Sequence, residues 1–128
     1  MGLDISKGII KLSDNLVIFP GYSFEMFKNT QYYCNQDEIR QIILDGEFVI
    51  ENRHYKVSLC FRKRRIYFLE LMCVDEEFTC ETEPQRKSLH DQILNEWGLF
   101  EYNEFDWGKI TSNFDPKGCI SSILIVYR

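Results

Sequence analysis

Two adjacent stretches with the period of a β-strand constrain the fold of this chain more than any other feature. The first, "HYKVSLCFR" over 54–62, alternates strictly between apolar and polar residues, so that one side of the predicted strand is apolar. That side carries Tyr55, Val57, Leu59 and Phe61. The second, "RIYFLELMCV" over 65–74, is apolar on both sides, which is typical of a central strand covered on each face. The basic residues Arg62–Arg65 are predicted to form the turn between them.

Shorter strands are predicted upstream of this pair. "GIIKLSDNLVIFP" over 8–20 has two β-branched runs joined by polar turn residues, which predicts a hairpin. "IRQIILDGEFVIE" over 39–51 predicts a strand with a bend at Asp45-Gly46, although a helix over 38–44 is a second interpretation. We favour the strand, because it completes a three-stranded meander with the two stretches above.

Two helices are predicted. Ser23 can cap the N-terminus of a short helix in "YSFEMFKN". The longer helix lies in "TEPQRKSLHDQILNEWG" over 82–98, where Thr82 and Gln85 fit a capping box. Pro84 is tolerated in its first turn, and Gly98 can end it. Its predicted apolar stripe consists of Leu89, Ile93, Leu94 and Trp97.

The C-terminal stretch "FDWGKITSNFDPKGCISSILIVYR" contains two pairings of glycine with lysine, but it lacks the further glycines and the following helix of a phosphate-binding loop. Asp115–Gly118 instead has the residues of a tight turn between two strands. We expect Trp107-Gly108 to mark a bulge or a close approach of the backbone to the long helix. The predicted order is therefore ββαβββαββ within a single domain, 1–128: an α+β fold with a mainly antiparallel β-sheet and two helices.

The composition is that of a globular domain with a ring-rich core, since 45% of the residues are hydrophobic, 27% charged and 15% aromatic. No leader peptide is evident, and no apolar run approaches the ~20 residues of a spanning helix. We therefore expect a cytoplasmic protein without membrane contact. The five cysteines are scattered, and we expect buried, reduced thiols at Cys34, Cys60, Cys73, Cys80 and Cys119.

No pattern of residues indicates catalysis or metal binding. His54 is predicted on the polar face of a strand and His90 on the polar side of the long helix, and neither has a ligand at a metal-binding spacing. We predict no catalytic residue, no metal and no cofactor. Two alternatives stay open: a small enzyme whose carboxylates, or Cys and His, meet only in the fold, and an RNA- or nucleotide-binding domain that uses Arg62–Arg65.

Charge is distributed unevenly along the chain, whose formal net charge is -5. Between Glu70 and Asp106 there are 11 acidic and 2 basic residues, whereas the remainder has 9 acidic and 13 basic ones. An acidic surface repels phosphates, so we expect no direct nucleic-acid contact and favour a basic protein as the partner. The links into and out of the long helix are predicted to bind it, through Asp75, Glu76, Glu77, Glu81, Glu83, Glu101, Glu104 and Asp106. A single patch requires the exit link to fold back.

The pattern aromatic-Asp-Trp-Gly-Lys-Ile at 105–110, followed by Asn-Phe-Asp-Pro-Lys-Gly and "SSILIVY", resembles small bacterial immunity proteins of contact-dependent inhibition and related polymorphic toxin systems. A strand meander followed by a long helix is also similar to that group. The resemblance implies a cytoplasmic protein that binds a cognate toxin domain, often a basic nuclease, and occludes its active or substrate-binding surface. It carries over no catalytic residue, because immunity proteins act by binding.

Overall fold

A computed structural model describes residues 2–37 and 39–128. The fold is α+β with two helices and mainly antiparallel strands, which confirms the predicted class. A 3-10 turn over Ile5–Lys7 separates the first two strands. The remaining elements are β1 (Gly2–Asp4), β2 (Ile9–Ser13), β3 (Leu16–Ile18), α1 (Phe24–Lys28), β4 (Gln41–Ile43), β5 (Phe48–Ile50), β6 (Arg53–Arg62), β7 (Arg65–Cys73), α2 (Glu83–Glu96), β8 (Tyr102–Phe105), β9 (Gly108–Asp115) and β10 (Ile120–Tyr127). Strands β1 and β8 are additions to the predicted order.

A seven-stranded antiparallel sheet forms the centre of the molecule, in the order β4-β6-β7-β10-β9-β8. Strand β5 also pairs with β6, beyond the end of β4, so the predicted strand with a bend at Asp45-Gly46 is two short strands along one edge. Gly46 has a φ of +81°, which allows this bend. The alternative helix over 38–44 is wrong at 41–43, where β4 lies, and its residue 38 lies outside the described residues.

One face of the large sheet is covered by the other elements. Helix α2 packs on β9 and β10, while β2 packs near β5 and the rings of α1 contact Phe61 of β6. The side chains between these layers form one core. Within the described residues, no helix has the length and the apolar content that crossing a membrane requires.

Trp107 and Gly108 each lie close to another part of the chain. Neither of them approaches the long helix, so the predicted approach to that helix is wrong. A side-chain carbon at Gly108 would overlap the Val126 carbonyl oxygen of the neighbouring strand. The Trp107 indole lies against Gly8 and donates a hydrogen bond to the Ile5 carbonyl at 2.9 Å. The Tyr127 hydroxyl donates to the Gly8 carbonyl at 3.0 Å. These two rings therefore fasten the N-terminal sheet to the C-terminal strands.

Of the four features predicted for the helix ends, the structure confirms three. The Ser23 hydroxyl accepts a hydrogen bond from the Met26 amide at 3.1 Å, as the predicted cap requires. In α2, Pro84 occupies the first turn, and Gly98 follows the helix with a φ of +81°. The predicted capping box is wrong, because the Thr82 hydroxyl accepts from the amide of Thr79 instead, at 2.8 Å.

The cysteines differ from the prediction at three positions. Cys80 and Cys119 form a disulfide with a Cα–Cα distance of 5.1 Å, and Cys34 is exposed. Cys60 and Cys73 are buried free thiols, as predicted. The predicted turn at Asp115–Gly118 is confirmed, since it joins β9 to β10. A spacing of 39 residues along the sequence does not indicate that two cysteines pair. The disulfide becomes evident only in the fold, where α2 brings both loops together.

Candidate functional site

The second face of the large sheet is concave and open. The predicted covering of β7 on both faces is wrong on this side, where Phe68, Glu70 and Met72 are only partly buried. Strand register places Glu70 between Ser58 of β6 and Leu124 of β10, so this face is continuous across the middle strands.

Three adjoining hollows, of about 330, 370 and 480 Å³, lie along this face. The second and third share Gln41, Glu70 and Ile120, and the first and third share Asn113 and Leu124. They therefore form one depression, which we call the open trough. Nine large apolar side chains are exposed in the described chain, and five of these line the trough. Those five are Ile43, Tyr67, Tyr102, Phe114 and Ile120.

Glu70 lies in the middle of the trough, in a lining that mixes polar and apolar side chains. Burial raises the pKa of its carboxyl group, and a hydrogen bond with the Ser122 hydroxyl opposes that rise in part. Gln41 and Ser58 also face the trough, but their side chains bond to each other at 2.9 Å. No cation of the described residues lies within ion-pair distance of Glu70. A partly buried carboxylate without an ion pair, in a hollow of the surface, is a candidate functional group.

The acidic link into α2 borders one end of the trough. The disulfide joins Cys80 of this link to Cys119, the residue before Ile120. Glu76, Glu77 and Glu81 are exposed there, as predicted for partner contacts. Asp75 is already engaged within the chain, since its carboxylate accepts the His54 amide at 2.9 Å and lies 3.8 Å from the Arg53 guanidinium.

The acidic link out of α2 does not fold back to join them. It forms β8 at the far edge of the sheet, where Glu104 lies opposite Lys109 and so is level with Phe68 of β7. The end of β7 at Cys73 lies roughly 17 Å farther along, at about 3.3 Å per residue, and three strands away. Glu104 accepts a hydrogen bond from Tyr102, and Asp106 is exposed beyond it. The predicted acids therefore occupy two separate places.

Glu101, the first acid of that link, lies 3.6 Å from the Lys87 ammonium of α2. It is exposed, but this pair gives its charge a partner on the same molecule. Like Asp75, it is therefore a weaker candidate for partner contact than the exposed acids beside Cys80.

The prediction that Glu83 belongs to the partner-binding surface is wrong, because its side chain is buried and only 4% of the residue is exposed. Its carboxylate accepts hydrogen bonds from the amide and hydroxyl of Ser121, at 3.0 and 2.7 Å. The Arg86 guanidinium lies 3.7 Å away. The start of α2 thus satisfies the backbone at the start of β10, and Glu83 cannot contact a partner without unfolding that junction.

The prediction that His90 lies on the polar side of the long helix is also wrong, because this residue is fully buried. Its Nε2 accepts the Cys73 amide at 3.1 Å, so the neutral ring carries its proton on Nδ1, which has no partner. Burial, together with the smaller effect of the nearby Arg86 charge, lowers the pKa of His90 to about 4. Because its unfolded pKa is near 6.5, His90 stabilises the fold fully above pH 6.5 and loses this contribution as the pH falls toward 4.

The basic turn makes contacts within the chain. The Arg64 guanidinium pairs with Glu25 and lies 4.9 Å from the centroid of the Phe24 ring. The Arg62 guanidinium lies 5.4 Å from the Tyr67 ring. These contacts reduce the positive charge that the turn offers to RNA. Among residues 2–37 and 39–128, no group of three or more His, Cys, Asp or Glu side chains is placed to hold a metal ion.

The trough residues were missed because two strands with apolar side chains on both faces were taken to be fully covered. Two helices and a small hairpin cannot cover both faces of a sheet made of the other five predicted strands, so an uncovered face follows from the predicted elements. Glu70 could have indicated the uncovered face, because it is the one carboxylate within "RIYFLELMCV". Comparison with protein-family models, with curated proteins and with solved structures finds no match to this chain.

Proposed function

We propose that this chain is a non-enzymatic binding protein of the immunity type, which neutralises a cognate toxin domain by covering its active or substrate-binding surface. The observation that carries the proposal is the open trough. A face that combines exposed apolar side chains with a central carboxylate is suited to binding a protein surface that is both apolar and basic.

The acidic link beside the trough extends the same surface. Glu76, Glu77 and Glu81 add negative charge at the end where Ile120 lies, and rim charges of this kind speed the approach of a basic partner. Buried apolar contacts then determine how long the complex lasts. The proposed interface is thus the trough together with the link into α2, whereas the predicted acids of β8 lie outside it.

The proposed compartment is the bacterial cytoplasm, where a toxin that enters the cell would be met. Cys34, Cys60 and Cys73 are free thiols, which agrees with a reducing compartment. The Cys80–Cys119 pair would be reduced there, so that the acidic link would be held by its packing alone.

The test uses the C-terminal domain of a large secreted protein, which the proposal expects to be encoded immediately upstream of this chain's gene. We expect the chain to restore growth of cells that express this domain, and to bind the purified domain. The double variant Ile43→Asn with Ile120→Asn should bind roughly 10- to 100-fold more weakly, because both side chains are exposed trough contacts. Ile39→Asn is the matched control, since Ile39 is 54% exposed but does not line the trough.

Wild-type chain that neither protects cells nor binds the upstream domain would contradict the proposed function, as would the absence of any such upstream gene. A double variant that binds and protects as well as Ile39→Asn would place the interface outside the trough.

A further inference from the structure

We propose that Glu70 is the anchor for one arginine or lysine side chain of the partner, inserted into the middle of the open trough. This inference rests on the proposed function and specifies the partner's chemistry: an apolar surface segment with a single cation at its centre. The exposed acids of the α2 link would serve to attract the partner, and Glu70 would fix its position.

The position of Glu70 supports this role. Two of the three hollows meet at its side chain, and strand neighbours flank it on both sides. Met72 and Leu124 provide apolar surface next to the carboxylate, on which the aliphatic stem of an arginine or lysine can pack. A cationic side chain of the partner would therefore bury its stem and its charge in one place.

The hydrogen-bonding capacity of Glu70 is largely unused. An ionised carboxylate has about four acceptor sites, and the Ser122 hydroxyl is the one hydrogen-bond partner recorded for Glu70 within the described chain. Gln41 and Ser58 face the same hollow but are bonded to each other. Two or more acceptor sites are thus unbonded within the described chain, which is enough for a two-pronged contact with a guanidinium group.

The trough has three other charged side chains, and none of them forms an ion pair with Glu70 in the described chain. Lys56 lines the same hollow and is opposite Met72, but it makes no ion pair with Glu70 in the described chain. Lys109 lies over the Tyr102 ring, 5.6 Å from its centroid, and Asp115 lies at the end of β9. A phosphate group would meet an unpaired carboxylate at the centre, so a protein cation is favoured over a nucleic acid.

The energetic cost of keeping this carboxylate in the free protein also favours a cationic partner. Burial raises the pKa of Glu70, which means that the surroundings disfavour its charged form. A cation placed against it removes this penalty, and the pair then becomes more favourable as water is excluded on binding.

The test measures binding of the upstream toxin domain by isothermal titration calorimetry. Glu70→Gln keeps the shape and a polar contact with Ser122 but removes the charge, and it should raise Kd about 30-fold or more. Glu47→Gln is the matched control, because it removes an exposed charge that lies outside both the trough and the link into α2 and should change Kd less than about fivefold. Thermal unfolding of free Glu70→Gln should show no loss of stability, so that weaker binding cannot be assigned to misfolding.

The results separate this inference from the proposed function. If Glu70→Gln binds as tightly as Glu47→Gln while the wild-type chain binds and protects cells, the anchor is wrong and the proposed function stands. If the wild-type chain neither binds nor protects, both fail. A preference of the wild-type trough for single-stranded RNA over the toxin domain would also overturn the anchor.

Discussion

Replacing Gly8 with alanine should be strongly destabilising, because two penalties coincide at this buried residue. Gly8 has a φ of +68°, a left-handed conformation that alanine adopts at a cost of about 1 kcal/mol. In addition, the new Cβ would lie 2.5 Å from the nearest atom of the Trp107 ring, well inside normal contact distance. Either the ring or the 3-10 turn has to move.

The Trp107 ring cannot move cheaply, which sets the size of the second penalty. It stacks on Phe105 with a centroid separation of 5.1 Å, and Tyr127 packs on it at 5.4 Å. A shift of about 1 Å would also break its 2.9 Å hydrogen bond to the Ile5 carbonyl, at about 1 kcal/mol. With the strain of overpacking, the clash should cost about 2 kcal/mol, and Gly8→Ala about 3 kcal/mol in total.

Gly46→Ala is the matched control for the backbone term. Gly46 has a φ of +81°, but a Cβ there would meet no atom within 4 Å, so this variant should lose about 1 kcal/mol. Urea unfolding followed by far-UV circular dichroism gives both values from the midpoints, provided that the m-values agree.

Equal losses in Gly8→Ala and Gly46→Ala would refute the reasoning. A double-mutant cycle with Trp107→Leu tests it further, because a smaller side chain at 107 leaves room for the Cβ. In the Trp107→Leu background, Gly8→Ala should cost about 1 kcal/mol, which gives a coupling of about 2 kcal/mol.

Two further predictions concern His90 and the disulfide beside α2. His90→Gln should remove about 2 kcal/mol of the stability that the wild type loses between pH 7.5 and pH 5, because only the unfolded imidazole takes up a proton in that range. The same pH dependence in the wild type and in His90→Gln would contradict the assignment. Reducing the Cys80–Cys119 disulfide should lower the melting temperature by roughly 10–15 °C, because a spacing of 39 residues corresponds to about 4 kcal/mol of loop-closure entropy. Identical melting curves with and without reductant, with Cys80→Ser as the control that should no longer respond, would show that the bond adds no stability.

The strand meander and the helix ends could be predicted because their signals are local. Alternation along 54–62, Ser23 before α1 and Gly98 after α2 depend on neighbouring residues alone. Strands β1 and β8 could not, since each is short and is stabilised by a partner strand rather than by its own pattern. The position of β10 between β7 and β9 could not be predicted either, because the order of the strands along the chain does not indicate it.

The candidate site was only partly predictable. Sequence reasoning predicted an acidic surface for a partner, and three of its residues, Glu76, Glu77 and Glu81, are exposed beside the trough. It placed Glu83 on the surface because a glutamate in the first helical turn is normally solvated there, and burial was decided by the distant Ser121. Glu70 required knowledge of which sheet face the helices leave uncovered.

The position of β10 has a consequence for synthesis of the protein on the ribosome. This strand lies between β7 and β9, so β7 has no partner on one side until β10 has been translated. Gly8 likewise waits for Trp107 and Tyr127, and the Tyr127 contact spans 119 residues. At about 5–20 residues per second, that wait is roughly 6–25 s. Throughout it the N-terminal sheet lacks its contacts with Trp107 and Tyr127, and once β7 has been made the nascent chain exposes the free edge of this strand until β10 follows. Completion of the large sheet therefore has to await the synthesis of β10.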